Sequence, residues 1–121
     1  MINIKPYIVK TLKKTGFTVR EGEIANYDKS SFPFISYIEE GNEPSRYSKG
    51  KEISTYVRYK IDIWNKNSST SDVAVKIDEE MSKIGLKRCM CLDVPDPTGL
   101  KHKLMRYEGV IDNNTFMMYK R

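Results

Sequence analysis

Between Lys51 and Lys66 the chain alternates apolar and polar side chains for longer than an ordinary strand requires. Ile53, Thr55, Val57, Tyr59, Ile61 and Ile63 fall on one face, and Ser54, Tyr56, Arg58, Lys60 and Asp62 on the other. This period of two marks a half-buried strand, and a strand with one wet face belongs to an antiparallel sheet. At roughly 3.3 Å per residue, about fourteen residues span about 45 Å, well beyond the usual strand of about five or six. Part of the strand is therefore expected to project past its neighbours as a hairpin arm, an element that one subunit can offer to another.

The remaining pattern predicts helix, strands, helix, strands. Asn3 can cap a first helix with Pro6 in its first turn, and Ile4, Ile8 and Leu12 recur on one face. Gly16 closes it, with Lys13 and Lys14 where the helix dipole favours positive charge. A short strand follows at Phe17 to Glu21, then a polar, turn-like stretch from Ala25 to Ser31, then a strand opened by Pro33 and running to Glu40. The segment Gly41 to Gly50 is rich in turn formers and predicts an exposed loop at the hairpin tip.

Beyond the long strand, Ser69 and Asp72 have capping-box spacing, and Val73, Ile77, Met81 and Ile84 keep helical spacing up to Gly85. Leu86 to Asp93 alternates until Pro95 and Pro97 end it, Lys101 to Ile111 alternates again, and Asp112-Asn113-Asn114 predicts a tight turn into Thr115 to Tyr119. No repeat, low-complexity tract or linker interrupts this order. The expected fold is a single α+β domain over residues 1–121: a mainly antiparallel sheet, two helices packed on one face and a long projecting β-hairpin.

Composition narrows the function classes. A chain of 121 residues is enough for one core, burying roughly two thirds of its unfolded surface. With 39% hydrophobic and 31% charged residues it reads as an ordinary globular protein and not as a disordered chain. No apolar run approaches the roughly eighteen residues of a membrane helix. The N-terminus lacks a basic head followed by an apolar block, which predicts a cytoplasmic product. Cys89 and Cys91 are expected on one face of a strand as free thiols, since a disulfide between them would close a strained ring. The net charge of +5 is spread along the chain among sixteen acids, a mild signal for an anionic partner.

Candidate chemistry is sparse. His102 with Cys89, Cys91 and Asp93 upstream permits a thiol nucleophile and base to be imagined, but no local spacing unites them. Two cysteines and one histidine fall short of the four ligands of a structural zinc site. Glu39-Glu40 should point to opposite faces of a strand, and Glu79-Glu80 lie about 100° apart on a helix. The glycines form neither a phosphate loop nor a dinucleotide fingerprint. No catalysis, cofactor or metal is expected. A sheet carrying Tyr37, Tyr56, Tyr59, Trp64, Arg58 and Lys60 could instead stack bases, so a small basic α+β nucleic-acid-binding module is the alternative reading.

Five stretches, in this order and spacing, carry a family likeness: Leu12-Lys13-Lys14-Thr15-Gly16, Phe32 to Tyr37, Tyr59 to Lys66, Val75 to Leu86, and Lys101 to Tyr107. The chain resembles the small tail-completion, or tail terminator, proteins of long-tailed bacteriophages and prophages, also described as minor structural or head-tail joining proteins. The resemblance implies a non-enzymatic virion assembly protein without cofactor. It implies a homo-oligomeric ring, typically a hexamer, that caps the tail tube, contacts the major tail tube protein and meets the head-tail connector protein. DNA would pass through without specific binding, and the product would move from host cytoplasm to the virion's tail or neck. In such a ring Arg46, Tyr47, Lys49 and Lys51 at the hairpin tip, with Tyr56 and Arg58 on the outer face of the long strand, are the expected subunit or partner contacts.

Overall fold

The structure, a computed structural model, describes residues 1–22 and 32–119; the turn expected from Ala25 to Ser31 lies outside them. The elements follow the predicted order: α1 (Lys5–Lys13), β1 (Thr18–Glu21), β2 (Phe34–Ser48), β3 (Lys51–Asn65), α2 (Ser71–Lys83), β4 (Lys87–Val94) and β5 (Lys101–Asp112). One five-stranded sheet has the order β1-β2-β3-β5-β4. Only the β1–β2 pair is parallel; β2–β3, β3–β5 and β4–β5 are antiparallel. The fold is α+β, with both helices on one face.

The two helices bury the stripes that their spacing predicts. Ile8 and Leu12 of α1 and Val73, Ile77 and Met81 of α2 join one core with Ile61, Ile63, Met105, Tyr107 and Ile111 of the sheet. Odd-numbered residues of β3 from Val57 to Ile63 point into this core, and Tyr59 and Tyr107, directly opposite each other on β3 and β5, are its largest enclosed side chains. Each such apolar side chain contributes roughly 1.5–3 kcal/mol of burial, so this face holds the domain together.

The helix ends differ from expectation in one respect. Ile4, not Asn3, occupies the N-cap of α1, and the Asn3 side chain accepts from the Lys5 amide at 3.1 Å. The N-cap of α2 is Thr70; Ser69 Oγ accepts from the Ser71 amide at 3.0 Å, so the Ser69–Asp72 capping box does not form. Gly85, at φ +91°, turns the chain off α2 and lets the Leu86 amide reach Met81 O at 3.2 Å, a glycine-closed helix end.

The largest correction is at the hairpin. The expected Gly41–Gly50 loop is strand as far as Ser48, and the turn is only Lys49-Gly50, both with positive φ (51° and 76°), as a two-residue hairpin turn demands. Register shifts between Glu39 and Gly41, Pro44 and Arg46, and Arg46 and Tyr47 accommodate the residues that break alternation. Such bulges and edge strands are where sheets tolerate glycine and proline. The hairpin therefore comprises two 15-residue strands. Its end extends past β5, whose last partner is Ser54 opposite Asp112.

A further register shift corrects the thiols. Between Arg88 and Met90 the register of β4 slips, so that Met90 lies opposite Arg106 on the outer face while Cys91 lies opposite Met105 on the helix face. Cys89 is the inserted residue, with its thiol 3.4 Å from Arg106 O, and it no longer shares a face with Cys91. Both thiols are free and exposed. Thr115 to Tyr119 forms an isolated bridge, Ile111 to Met118, in place of a full strand.

Burial and hydrogen bonds to Glu39 and Asp78 push the Tyr59 and Tyr107 hydroxyls far above the ordinary tyrosine range. Glu40 is held low by its hydrogen bond from Arg106, Glu52 by its hydrogen bond from Thr55, and Asp112 by the Thr115 and Asn114 amides. The raised tyrosines give stability that is complete below their unfolded value of about 10 and is lost as pH climbs beyond it. The depressed carboxylates give stability that is present above their unfolded values near 4 and is lost as pH falls below them. Urea midpoints measured against pH should therefore form a plateau between about pH 5 and 9.5, falling on both sides. Two tyrosines should resist ionisation until the alkaline unfolding step.

Candidate interaction surfaces

The expected contact residues divide into two groups. Arg46, Tyr47, Lys49 and Lys51 lie together at the hairpin end and are all exposed, Tyr47 at 62%. Tyr56 and Arg58 lie further down the outer face and are engaged within their own chain. The Tyr56 hydroxyl donates to Glu108 at 2.7 Å, and Arg58 Nε lies 3.6 Å from Glu40. The tip is therefore exposed to solvent, whereas Tyr56 and Arg58 help to order the surface behind it.

That outer face is a charge lattice. Arg106 grips Glu40 through Nε at 2.8 Å and Nη2 at 3.3 Å, a two-point contact. Lys60 approaches Asp62 at 3.5 Å, and Asp62 lies 2.6 Å from His102 Nε2. The His102 ring stacks on Trp64 at 3.7 Å between centroids and 10° between planes. Of the aromatics considered for base stacking, Tyr37 and Tyr59 are buried on the helix face, Tyr59 completely, and Arg58 and Lys60 each face a carboxylate.

Thiol chemistry finds no assembled centre in these positions. His102 lies on the outer face opposite Trp64, whereas Cys91 lies on the helix face and Cys89, beside Arg106, is far along the ladder from His102, which pairs with Val94. Among the described residues no group of three or more His, Cys, Asp or Glu side chains is placed to hold a metal ion, and no helix is long and apolar enough to cross a membrane. Glu39 and Glu40 point to opposite faces, toward Tyr59 and Arg106.

Sequence reasoning missed two features. The first is β4 as an open edge: every residue except Val94 is exposed, with Met90 at 36% and Leu92 at 42%. The second is a groove of about 810 Å³ where the end of α2 meets the start of β4, bounded by Tyr7 of α1 and by Phe116 to Tyr119. Tyr7, Phe116, Met117 and Tyr119 are all substantially exposed there. The run Phe116-Met117-Met118-Tyr119 was the available signal, since consecutive apolar residues on a terminal segment do not fit an alternating strand.

No family model matches the chain, and no curated protein matches it.

Proposed function

We propose that this is a non-enzymatic virion assembly protein, which completes the tail tube of a long-tailed phage or prophage and joins it to the head connector as part of a ring. Support comes from the resemblance of its segments to tail-completion proteins. The observation that carries the reading is that one sheet ends in two unlike adhesive sides. One is a long hairpin with an exposed basic and aromatic tip, and the other an exposed edge strand beside a groove lined by both charged and apolar side chains. A closed ring needs such complementary, non-identical patches, whereas a two-fold dimer needs one self-matching patch.

The protein would act by shape and contact, without turnover. Six copies at +5 each would carry about +30, enough to retain passing DNA if it all faced the lumen. Much of the basic charge is therefore assigned to protein partners or the ring exterior, in keeping with the carboxylate pairing of Arg58, Lys60 and Arg106.

Gold-labelled protein mixed with isolated tail tubes tests the reading. Label confined to one end of each tube is the expected image, and label scattered along the tubes or absent from them would oppose it. The nucleic-acid reading is separated by titrating mixed single strands at two salt concentrations. Binding that is strong at low salt and falls steeply with salt would favour that alternative.

A further inference from the structure

Phe116 stands at φ +61° in the turn after β5, where its amide donates to Asp112 O at 2.8 Å. Left-handed backbone suits glycine or asparagine, and a bulky side chain is strained there. Burial of the ring does not offset the strain, because Phe116 is 62% exposed. Strain of this kind points to a use outside the local fold. Met117 and Tyr119 beside it, and Tyr7 of α1, are exposed as well. These four side chains border one groove, which also holds Leu86 and Met118, lying over Gly109. Single apolar side chains on a surface are ordinary, but a contiguous group rimmed by charge marks a contact site.

The charged part of the lining leaves positive charge free. Its two acids are engaged within the chain: Asp78 accepts from Tyr107 at 2.7 Å and lies 3.4 Å from Arg88, and Glu108 accepts from Tyr56 at 2.7 Å. Lys83 meets Glu80 of its own helix with its side chain 69% exposed, an arrangement worth little. Lys87 is exposed and forms no ion pair among the described residues. The complement of this groove therefore carries apolar side chains for Tyr7, Phe116, Met117 and Tyr119, and carboxylates for Lys83 and Lys87. A protein segment supplies both, whereas a nucleic-acid backbone supplies anions without aliphatic anchors.

We propose that this groove receives an acidic segment of a partner protein, whose apolar side chains rest on Tyr7, Phe116 and Met117 while its carboxylates pair with Lys83 and Lys87. The proposal names the chemistry of a partner and stands apart from the tail reading, which survives or fails on labelling of tube ends.

The test is a titration of the isotope-labelled full chain with three synthetic peptides, followed by the backbone amide signals. The first alternates glutamate with leucine or phenylalanine, the second carries lysine in place of glutamate, and the third carries serine in place of the apolar residues. The first peptide should shift Lys87 and the Phe116 to Tyr119 signals saturably, and the other two should bind several-fold more weakly or not at all. Lys87→Glu should weaken the acidic peptide several-fold and strengthen the lysine peptide. Phe116→Gly should raise the urea midpoint, because it relieves the left-handed strain, and at the same time weaken the acidic peptide several-fold.

Equal binding of all three peptides, or no saturable shift at the groove signals, would overturn the proposal. So would shifts confined to Arg46, Tyr47, Lys49 and Lys51, which would move the acidic partner to the hairpin tip. Groove signals that shift with protein concentration alone would give the site to a second copy of the chain. A lowered urea midpoint in Phe116→Gly would show that the ring serves the fold itself and remove the argument from strain.

Discussion

Replacing Tyr107 by alanine is expected to lower the stability of the domain by about 3–5 kcal/mol, the range for emptying a fully buried aromatic site. Tyr107 is completely enclosed, stands opposite Tyr59 across the β3–β5 ladder, and donates its hydroxyl to Asp78 of α2 at 2.7 Å. It therefore fills the middle of the core and ties a helix to the sheet. Against a total stability of about 5–15 kcal/mol, the loss should move the urea midpoint far to the left or leave the chain unfolded. Tyr107→Phe separates the two roles. It keeps the ring and removes only the hydrogen bond to a carboxylate, for an expected cost of about 1.5–3 kcal/mol. If the phenylalanine variant were as unstable as the alanine variant, packing would not be what Tyr107 contributes.

The second large effect is expected at Gly85. Its φ of +91° lies where side chains are strained, and a Cβ there would come within 2.6 Å of Met118 Cβ. Alanine should cost more than the roughly 1–2 kcal/mol of left-handed strain alone, because Met118 must also move. Met118 holds the last segment to β5 through the Ile111 bridge. Gly85→Ala should thus both lower the urea midpoint and speed amide exchange at Tyr119, whose N–H donates to Val110 O at 2.8 Å. A variant with normal stability and unchanged protection would show that this segment is not braced against the end of α2.

Most of the architecture was legible because its signals are local. The two-residue period of Ile53 to Ile63 and the helical spacing of Val73, Ile77 and Met81 each follow from one element meeting one core. Reading failed where a bulge broke the period. Gly41 and Pro44 looked like loop because a strand rarely tolerates them, yet register shifts at an open edge absorb them. The slip after Arg88 likewise put Cys89 and Cys91 on different faces, which strict alternation forbids.

Contacts between distant residues were equally invisible. Glu40 and Arg106 are 66 residues apart in the chain, and nothing in either neighbourhood announces the other. The exposed hairpin tip with Arg46 and Tyr47 was anticipated from its polar, turn-rich composition. The groove at the end of α2 was not, because it is assembled from α1, the end of α2, the start of β4 and the last described segment.

The central proposal is that this molecule works as a segment of a circular assembly at the end of a tail. The most direct test is electron microscopy of particles assembled without this product. Overlong tails, or heads and tails that remain unjoined, are the predicted result, with rescue by the parent protein. Normal, joined particles with tails of wild-type length would contradict the account.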